Sequence, residues 1–258
     1  MAGQRGQDRR APDQRAQGQQ ARQSGDAETG LRELVALGGQ VLCQQGLTDY
    51  LGHCSARVPG TDRVVIKPKH SSRIRSPRAL GPADMAVIDL DGNLIGGGDA
   101  PPAERFIHTE IYRARPDVYA VVHTHQRAAT LAGVAGAELR PVLHIPAVLT
   151  DGGNAATWPC PLLVTSPELG RKLASALGDA PLCHLQGHGI VSVAADLRHA
   201  VVAAIAMEQL AEANLTILKT GLTPRVITPG ELSELRGSAA AIDGRWAYYV
   251  QLLGEHSA

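Results

Sequence analysis

Apolar residues fall in short blocks along the chain, and their spacing switches between helical and alternating. Leu31, Leu34, Val35, Leu37, Val41 and Leu42 predict a helix over Leu31–Gln44 that Gly46 can stop. The stretch Thr48–Val58 alternates in its second half like a strand, and Gly52 sits where a backbone must turn or approach something closely. Pro59-Gly60 turns into a second strand, Arg63–Lys67. Met85–Leu90 reads as a strand and Asp91-Gly92 as a hairpin, with Gly96–Gly98 and Pro101-Pro102 as loop. A helix runs from Glu104 to about Arg115, and Pro116-Asp117 ends it before the buried strand Val118–Val122.

A helix of small residues follows to about Ala137, and then an extended run from Val142 to Leu149 that Asp151-Gly152-Gly153 breaks. Pro167–Leu177 is helical, Leu182–Val193 a strand hairpin, and Asp196 the N-cap of a long helix through about Lys219. The apolar face of that helix (Val201, Val202, Ile205, Leu210, Leu215) makes it a core helix. Residues from Pro229 to Leu253 are helical. Strands alternating with helices define an α/β protein, with one domain over 29–258 and no internal repeat.

Composition narrows the function classes. The 258 residues are 44% hydrophobic and only 3% aromatic, with 25 basic and 25 acidic side chains. That balance leaves no electrostatic footprint for nucleic acid or an anionic membrane. No run of 18 apolar residues occurs, so a membrane span is not expected. Cys43, Cys54, Cys160 and Cys183 lack CxxC spacing and fit a reduced, cytoplasmic protein. Residues 1–28 lack the apolar core of a signal peptide and read as a disordered tail.

Candidate chemistry begins at the end of the Val118–Val122 run. His123 and His125 are two apart, which on a strand puts both imidazoles on one face, at a sheet edge in this reading. Such a pair suits Zn²⁺, Fe²⁺, Mn²⁺ or Co²⁺, although an HxH by itself is weak, because lone histidines often hydrogen-bond in cores. His188, flanked by Gly187 and Gly189, and acidic Glu104 add to it. Three imidazoles with an open position are a catalytic arrangement, and a nearby carboxylate can ligate or act as a base. The basic loop from Lys67 to Arg78 is either a solvated loop or an anion cradle.

The segments Glu104-Arg-Phe-Ile-His108, Arg115-Pro116-Asp117-Val118, Val121-Val122-His123-Thr-His125 and Gln186-Gly187-His188-Gly189 together resemble the class II aldolase/adducin family. The resemblance covers about residues 31–220. It implies a three-layer class II aldolase-like fold, a mostly antiparallel central sheet flanked by helices. It also implies His123, His125 and His188 as metal ligands, with Glu104 ligating at rest and shuttling protons in turnover. The cofactor is a divalent metal, Zn²⁺ first, with Fe²⁺, Mn²⁺ or Co²⁺ as alternatives. Membership further implies a homotetramer with active sites between subunits. The neighbouring subunit's proton-donor tyrosine falls on Ile145, beside His144.

Several positions depart from the sugar-phosphate aldolases of the family. Gly52-His53 replaces their Gly-Asn before Ser55 and Arg57, and Pro68-Lys69-His70-Ser71-Ser72-Arg73 replaces a Thr-Gly phosphate element. Pro102-Ala103 supplies no hydroxyl ahead of Glu104. The expected substrate is therefore a small hydroxylated carboxylate, aromatic ones included, bound by His53, Ser55, Lys69, His70, Ser71 and Arg73. Glu104, or one of His53, His70 and His144, delivers the proton. The reading is a metal-dependent carbon–carbon lyase, decarboxylation ahead of retro-aldol cleavage. Its alternatives are a non-haem Fe(II) oxygenase, as in aminocoumarin pathways, and an adducin-like module without chemistry.

Overall fold

The structure is a computed structural model that describes residues 11–70, 76–239 and 241–255. Eight strands form one sheet: β1 (His53–Arg57), β2 (Val64–Ile66), β3 (Ala86–Ile88), β4 (Leu94–Gly97), β5 (Ala120–Thr124), β6 (Ala155–Trp158), β7 (Leu182–Leu185) and β8 (Gly189–Ala194). Their order across the sheet is β4-β3-β2-β1-β5-β8-β7-β6. Neighbours are antiparallel except β6 and β7, which run parallel. Helices cover both faces, giving three layers.

The alternation of each strand divides its side chains between two cores. Ala120 and Val122 of β5 point to the core shared by α1 (Ala11–Gln44), α3 (Arg127–Ala135) and α6 (Leu197–Thr220). Val121 points to the other core, with α2 (Arg105–Ala114) and α5 (Pro167–Leu177). Period-2 geometry therefore sends His123 to the α2 side as well. α2 and α5 pack so closely that a Cβ on Gly170 would sit 2.5 Å from the Phe106 carbonyl oxygen. α6 has the length and apolar composition to cross a bilayer, but its buried stripe, from Leu197 to Ala211, belongs to the first core. Asp196 caps it as the sequence predicts, its side chain accepting from the His199 amide.

Several expectations change. The first helix extends back to Ala11, well ahead of Leu31, so residues from Ala11 on are helical where a tail is expected; residues 1–10 lie outside the described residues. β5 is a central strand between β1 and β8, so the histidine pair stands at a strand end rather than at a sheet edge. Gly96 and Gly97 belong to β4. The run around His144 forms a helix, α4 (His144–Leu149), not an extended segment. Pro146 occupies its first turn, where a missing N–H goes unused, and the Thr150 hydroxyl donates to the Pro146 carbonyl at 2.7 Å. The last helical stretch splits into α7 (Pro229–Ala239) and α8 (Ile242–Glu255).

Candidate metal centre and active site

Three backbone segments converge on the α2 face of the sheet. β5 carries His123 and delivers His125 just beyond its end. The β7–β8 hairpin, turned by Gly187 at φ 76°, carries His188. Pro101-Pro102 leads into α2, whose N-cap position is Glu104. Gly189 permits the close approach: a Cβ there would stand 2.2 Å from the Thr124 carbonyl oxygen and 2.9 Å from His125 Cδ2.

The resulting cluster brings one ligand atom from each of Glu104, His123, His125 and His188 within 4.8 Å of one another. His123 Nε2 lies 3.0 Å from His125 Nε2 and 3.8 Å from Glu104 Oε2, and His188 Nε2 lies 3.5 Å from the same Oε2. Ligands about 2.1 Å from a tetrahedral ion stand about 3.4 Å apart, so these spacings suit a divalent metal. The donors are prepared for one. His123 Nδ1 donates to the Ile190 carbonyl at 2.9 Å, which leaves Nε2 as a lone pair aimed at His125. Both ring nitrogens of His188 are buried without a hydrogen-bond partner. Buried polar atoms rarely stay unpaired, and a cation between these four groups would satisfy Nε2, the nitrogen that faces Glu104.

Burial keeps His123 neutral, holding its pKa at about 3 although the Glu104 carboxylate pulls the other way. Burial also lowers His125, and the neighbouring His188 adds to it. For Glu104, burial opposes the charge, but the contacts with His188, His123 and the Val164 amide outweigh it and set the carboxyl at about 2. The Val164 amide donates to Oε1 at 2.9 Å, leaving Oε2 for the cluster. Glu104 is thus an oriented carboxylate facing His123, which burial keeps neutral, the protonation states in which the two could hold a metal.

Beside the cluster opens a cleft with about 620 Å³ of empty space, part of it continuous with solvent. Its walls include Tyr50, His53, Lys67, His70, Glu104 and Leu163. His53 and His70 line the cleft, as does Lys69, which is exposed at its rim. Ser55 does not: it is fully buried and engaged with His108 and Tyr112. Ser71 and Arg73 lie outside the described residues. His144 sits exposed on α4 in a different groove, with Arg225 and Glu231, and does not join the cluster within one chain.

Two features of the site are not anticipated in the sequence. Lys67, placed there in a polar loop, is 5% exposed; its Nζ donates to the Gly52 carbonyl at 3.0 Å and meets no carboxylate among the described residues. Burial lowers its pKa. The second is His108, fully buried and bonded to His53. Its signal is periodicity, since Glu104, His108 and Tyr112 recur every fourth residue down one stripe of α2.

Residues 32–215 match the family model described as Class II Aldolase and Adducin N-terminal domain. The chain is 32% identical over 237 residues to a 3,4-dihydroxyphthalate decarboxylase of Arthrobacter keyseri, covering 86% of this chain and 93% of that one. It is 33% identical over 203 residues to the enzyme of the same name from Terrabacter sp. (strain DBF63), covering 74% and 82%. Among solved structures it is similar to an aldolase II superfamily protein from Pseudomonas syringae, with TM-score 0.75 and 20% identity over 89% of this chain and 94% of that one. L-fuculose 1-phosphate aldolase from Glaciozyma antarctica gives TM-score 0.74 at 20% identity, over 88% and 90%. These two likenesses speak for the fold. The chain belongs to the class II aldolase/adducin family. Within it, the chain is an enzyme, a carbon–carbon lyase.

Proposed function

We propose that this lyase removes CO₂ from a hydroxylated aromatic carboxylate of the 3,4-dihydroxyphthalate kind. The observation that carries the reading is 32% identity to a decarboxylase of that substrate along nearly the whole chain. The cleft supports it. A buried Lys67 that meets no acidic partner among the described residues calls for an anion, because an ammonium out of water is costly until it is paired. Lys69 and His70 extend the same side of the cleft, and Ser71 and Arg73, outside the described residues, are carried into the proposal as substrate contacts from the sequence alone.

His123, His125, His188 and Glu104 would hold the divalent metal, Zn²⁺ first and Mn²⁺, Fe²⁺ or Co²⁺ next. Bound there, it would supply a Lewis acid to adjacent substrate oxygens and stabilise negative charge on them. Glu104 is a carboxylate at rest, so its Oε2 first acts as base and takes the proton of a substrate hydroxyl. Glu104 then gives this proton to the ring carbon that bears the carboxylate, and the phenolate oxygen becomes a ring carbonyl. As the carbon–carbon bond breaks, CO₂ leaves and its electron pair flows through the ring onto that oxygen, restoring a phenolate that regains a proton on release. His144 of a neighbouring subunit would be the second proton donor in a homotetramer. Free Cys43, Cys54, Cys160 and Cys183 support a cytoplasmic location.

The test is anaerobic incubation of the metal-loaded protein with 3,4-dihydroxyphthalate, with His125→Ala alongside. CO₂ and dihydroxybenzoate are expected in equal amounts without oxygen uptake, and the variant should lose both metal and turnover while keeping its thermal transition. Stoichiometric metal with no CO₂ would remove the substrate assignment. Metal retained in the variant would remove the ligand set.

A further inference from the structure

The histidines of the cluster differ in what holds them from behind. The His123 ring is tied through Nδ1 to the Ile190 carbonyl. His125 lies beyond the end of β5 and ahead of α3, and among the described residues no hydrogen bond fixes its Nδ1. Its place is set by the backbone on either side.

That backbone is bound to α6. Strand alternation carries past the end of β5: His123 and His125 turn to the metal cluster, and Thr124 and Gln126 turn the other way, where they are 0% and 1% exposed. The Gln126 side chain donates from Nε2 to the Ala204 carbonyl of α6 at 3.0 Å, and its Oε1 accepts from the Thr124 hydroxyl at 2.7 Å. A carbonyl only accepts, so this pairing leaves one orientation for the amide. Gln126 occupies the N-cap position of α3 but makes no side-chain cap bond there. The cap comes instead from one turn further along α6. Glu208 accepts from the Ala128 amide at 2.7 Å with one carboxylate oxygen and from the Ala129 amide at 2.9 Å with the other. First-turn amides lack partners within their own helix, and a carboxylate beside them also meets the positive end of the helix dipole.

We propose that Glu208 and Gln126 are positioning residues for the metal centre, fastening the backbone around His125 to α6 so that this imidazole stands at ligand distance from His123. Neither side chain belongs to the ligand cluster, and both act through the main chain. α6 suits the task, because its buried stripe from Leu197 to Ala211 is fixed in the first core and the anchor moves only with that core. A segment released from it must be ordered each time an ion binds, so the loss appears as weaker metal binding. The inference rests on the proposed ligand set and on no particular substrate.

Two measurements on the full chain test it: metal affinity by competition with a chromophoric chelator, and the visible spectrum of the cobalt-loaded protein. Glu208→Ala should weaken metal binding by about tenfold to a hundredfold, the usual cost of removing a group behind a ligand, and should alter the cobalt bands that report ligand geometry. Glu208→Gln keeps one acceptor oxygen and should stay within about threefold of the parent. Asp196→Ala is the control. It removes the cap of α6 itself, which lowers stability in the same way, and should leave affinity and spectrum at the parent values. Parent affinity in Glu208→Ala, or an equal loss in Asp196→Ala, would overturn the positioning role while the ligand set stood. A parent that binds no metal would remove the ligand set and this role with it. If Glu208→Ala fails to fold, Gln126→Leu, which removes both side-chain ties, carries the same expectation.

Discussion

His108 is a histidine the fold keeps uncharged. Burial drives its pKa from 6.5 to about 3, against the pull of Glu104. The unfolded chain would bind a proton there below 6.5 that the folded chain refuses, so the sign is fixed. This site costs no stability above pH 6.5 and destabilises progressively as pH falls toward 3. At about pH 5 the penalty is on the order of 2 kcal/mol. His53, lowered first by burial and then by His108 and His123, acts in the same sense. Thermal unfolding at about pH 7 and 5, for the parent and His108→Gln, isolates the contribution, since glutamine does not titrate. The parent should lose more stability over that interval than the variant. Equal losses would mean that His108 is not held neutral by the fold.

At the level of elements, the site depends on how closely β8 approaches β5. Gly189 pairs with Leu185 in the hairpin and lies against the backbone of Thr124. Gly189→Ala would force a methyl group into the Thr124 carbonyl and the edge of His125, pushing the two imidazole-bearing segments apart. The expected result is at least a tenfold loss of metal affinity, because ligand geometry is lost, with about 1–3 kcal/mol of destabilisation. Competition with a chromophoric chelator measures the first and denaturant unfolding the second. Unchanged metal affinity would show that the close approach does not set the ligand geometry. The same elements show what the sequence discloses. β5, the β7–β8 hairpin and α2 are legible because apolar blocks, glycines and prolines bound them, and they carry all four candidate ligands. β6 is not legible, since Ala155–Trp158 has little apolar alternation and is defined by its parallel pairing with β7. α4 is obscured by β-branched residues and Pro146, which suit an extended run in isolation but also fit a first helical turn against α6. Nor does the local pattern separate Lys67 from the exposed basic residues that follow it. Its burial comes from the way β2 sits over Gly52, a contact between distant segments. Ser55 fails as a substrate contact for a related reason: one face of β1 lies under α2, and only the end at His53 reaches the cleft.

For the whole molecule, His144 reaches a metal site only through association of subunits. In one chain it lies exposed in a groove with Arg225 and Glu231, apart from the cleft that Glu104 lines. If it donates a proton in the proposed tetramer, it must do so in a neighbour's site. That geometry makes subunits complementary. His125→Ala would abolish the metal centre of its own chain but leave a usable His144, and His144→Ala would do the reverse. Each variant alone should be nearly inactive. After mixed unfolding and reassembly in equal amounts, a site works when its metal-binding chain is of the second kind and its neighbour is of the first. Random assembly gives about a quarter of the parent activity per chain. The experiment separates three arrangements. Recovery near a quarter requires a donor acting across an interface. Activity of His144→Ala alone at the parent level would take His144 out of the chemistry and leave Glu104 to carry the proton in both directions. No recovery from two inactive variants would confine each site to one chain, and the path of the proton would then have to be sought among His53, His70 and Glu104 around the cleft itself.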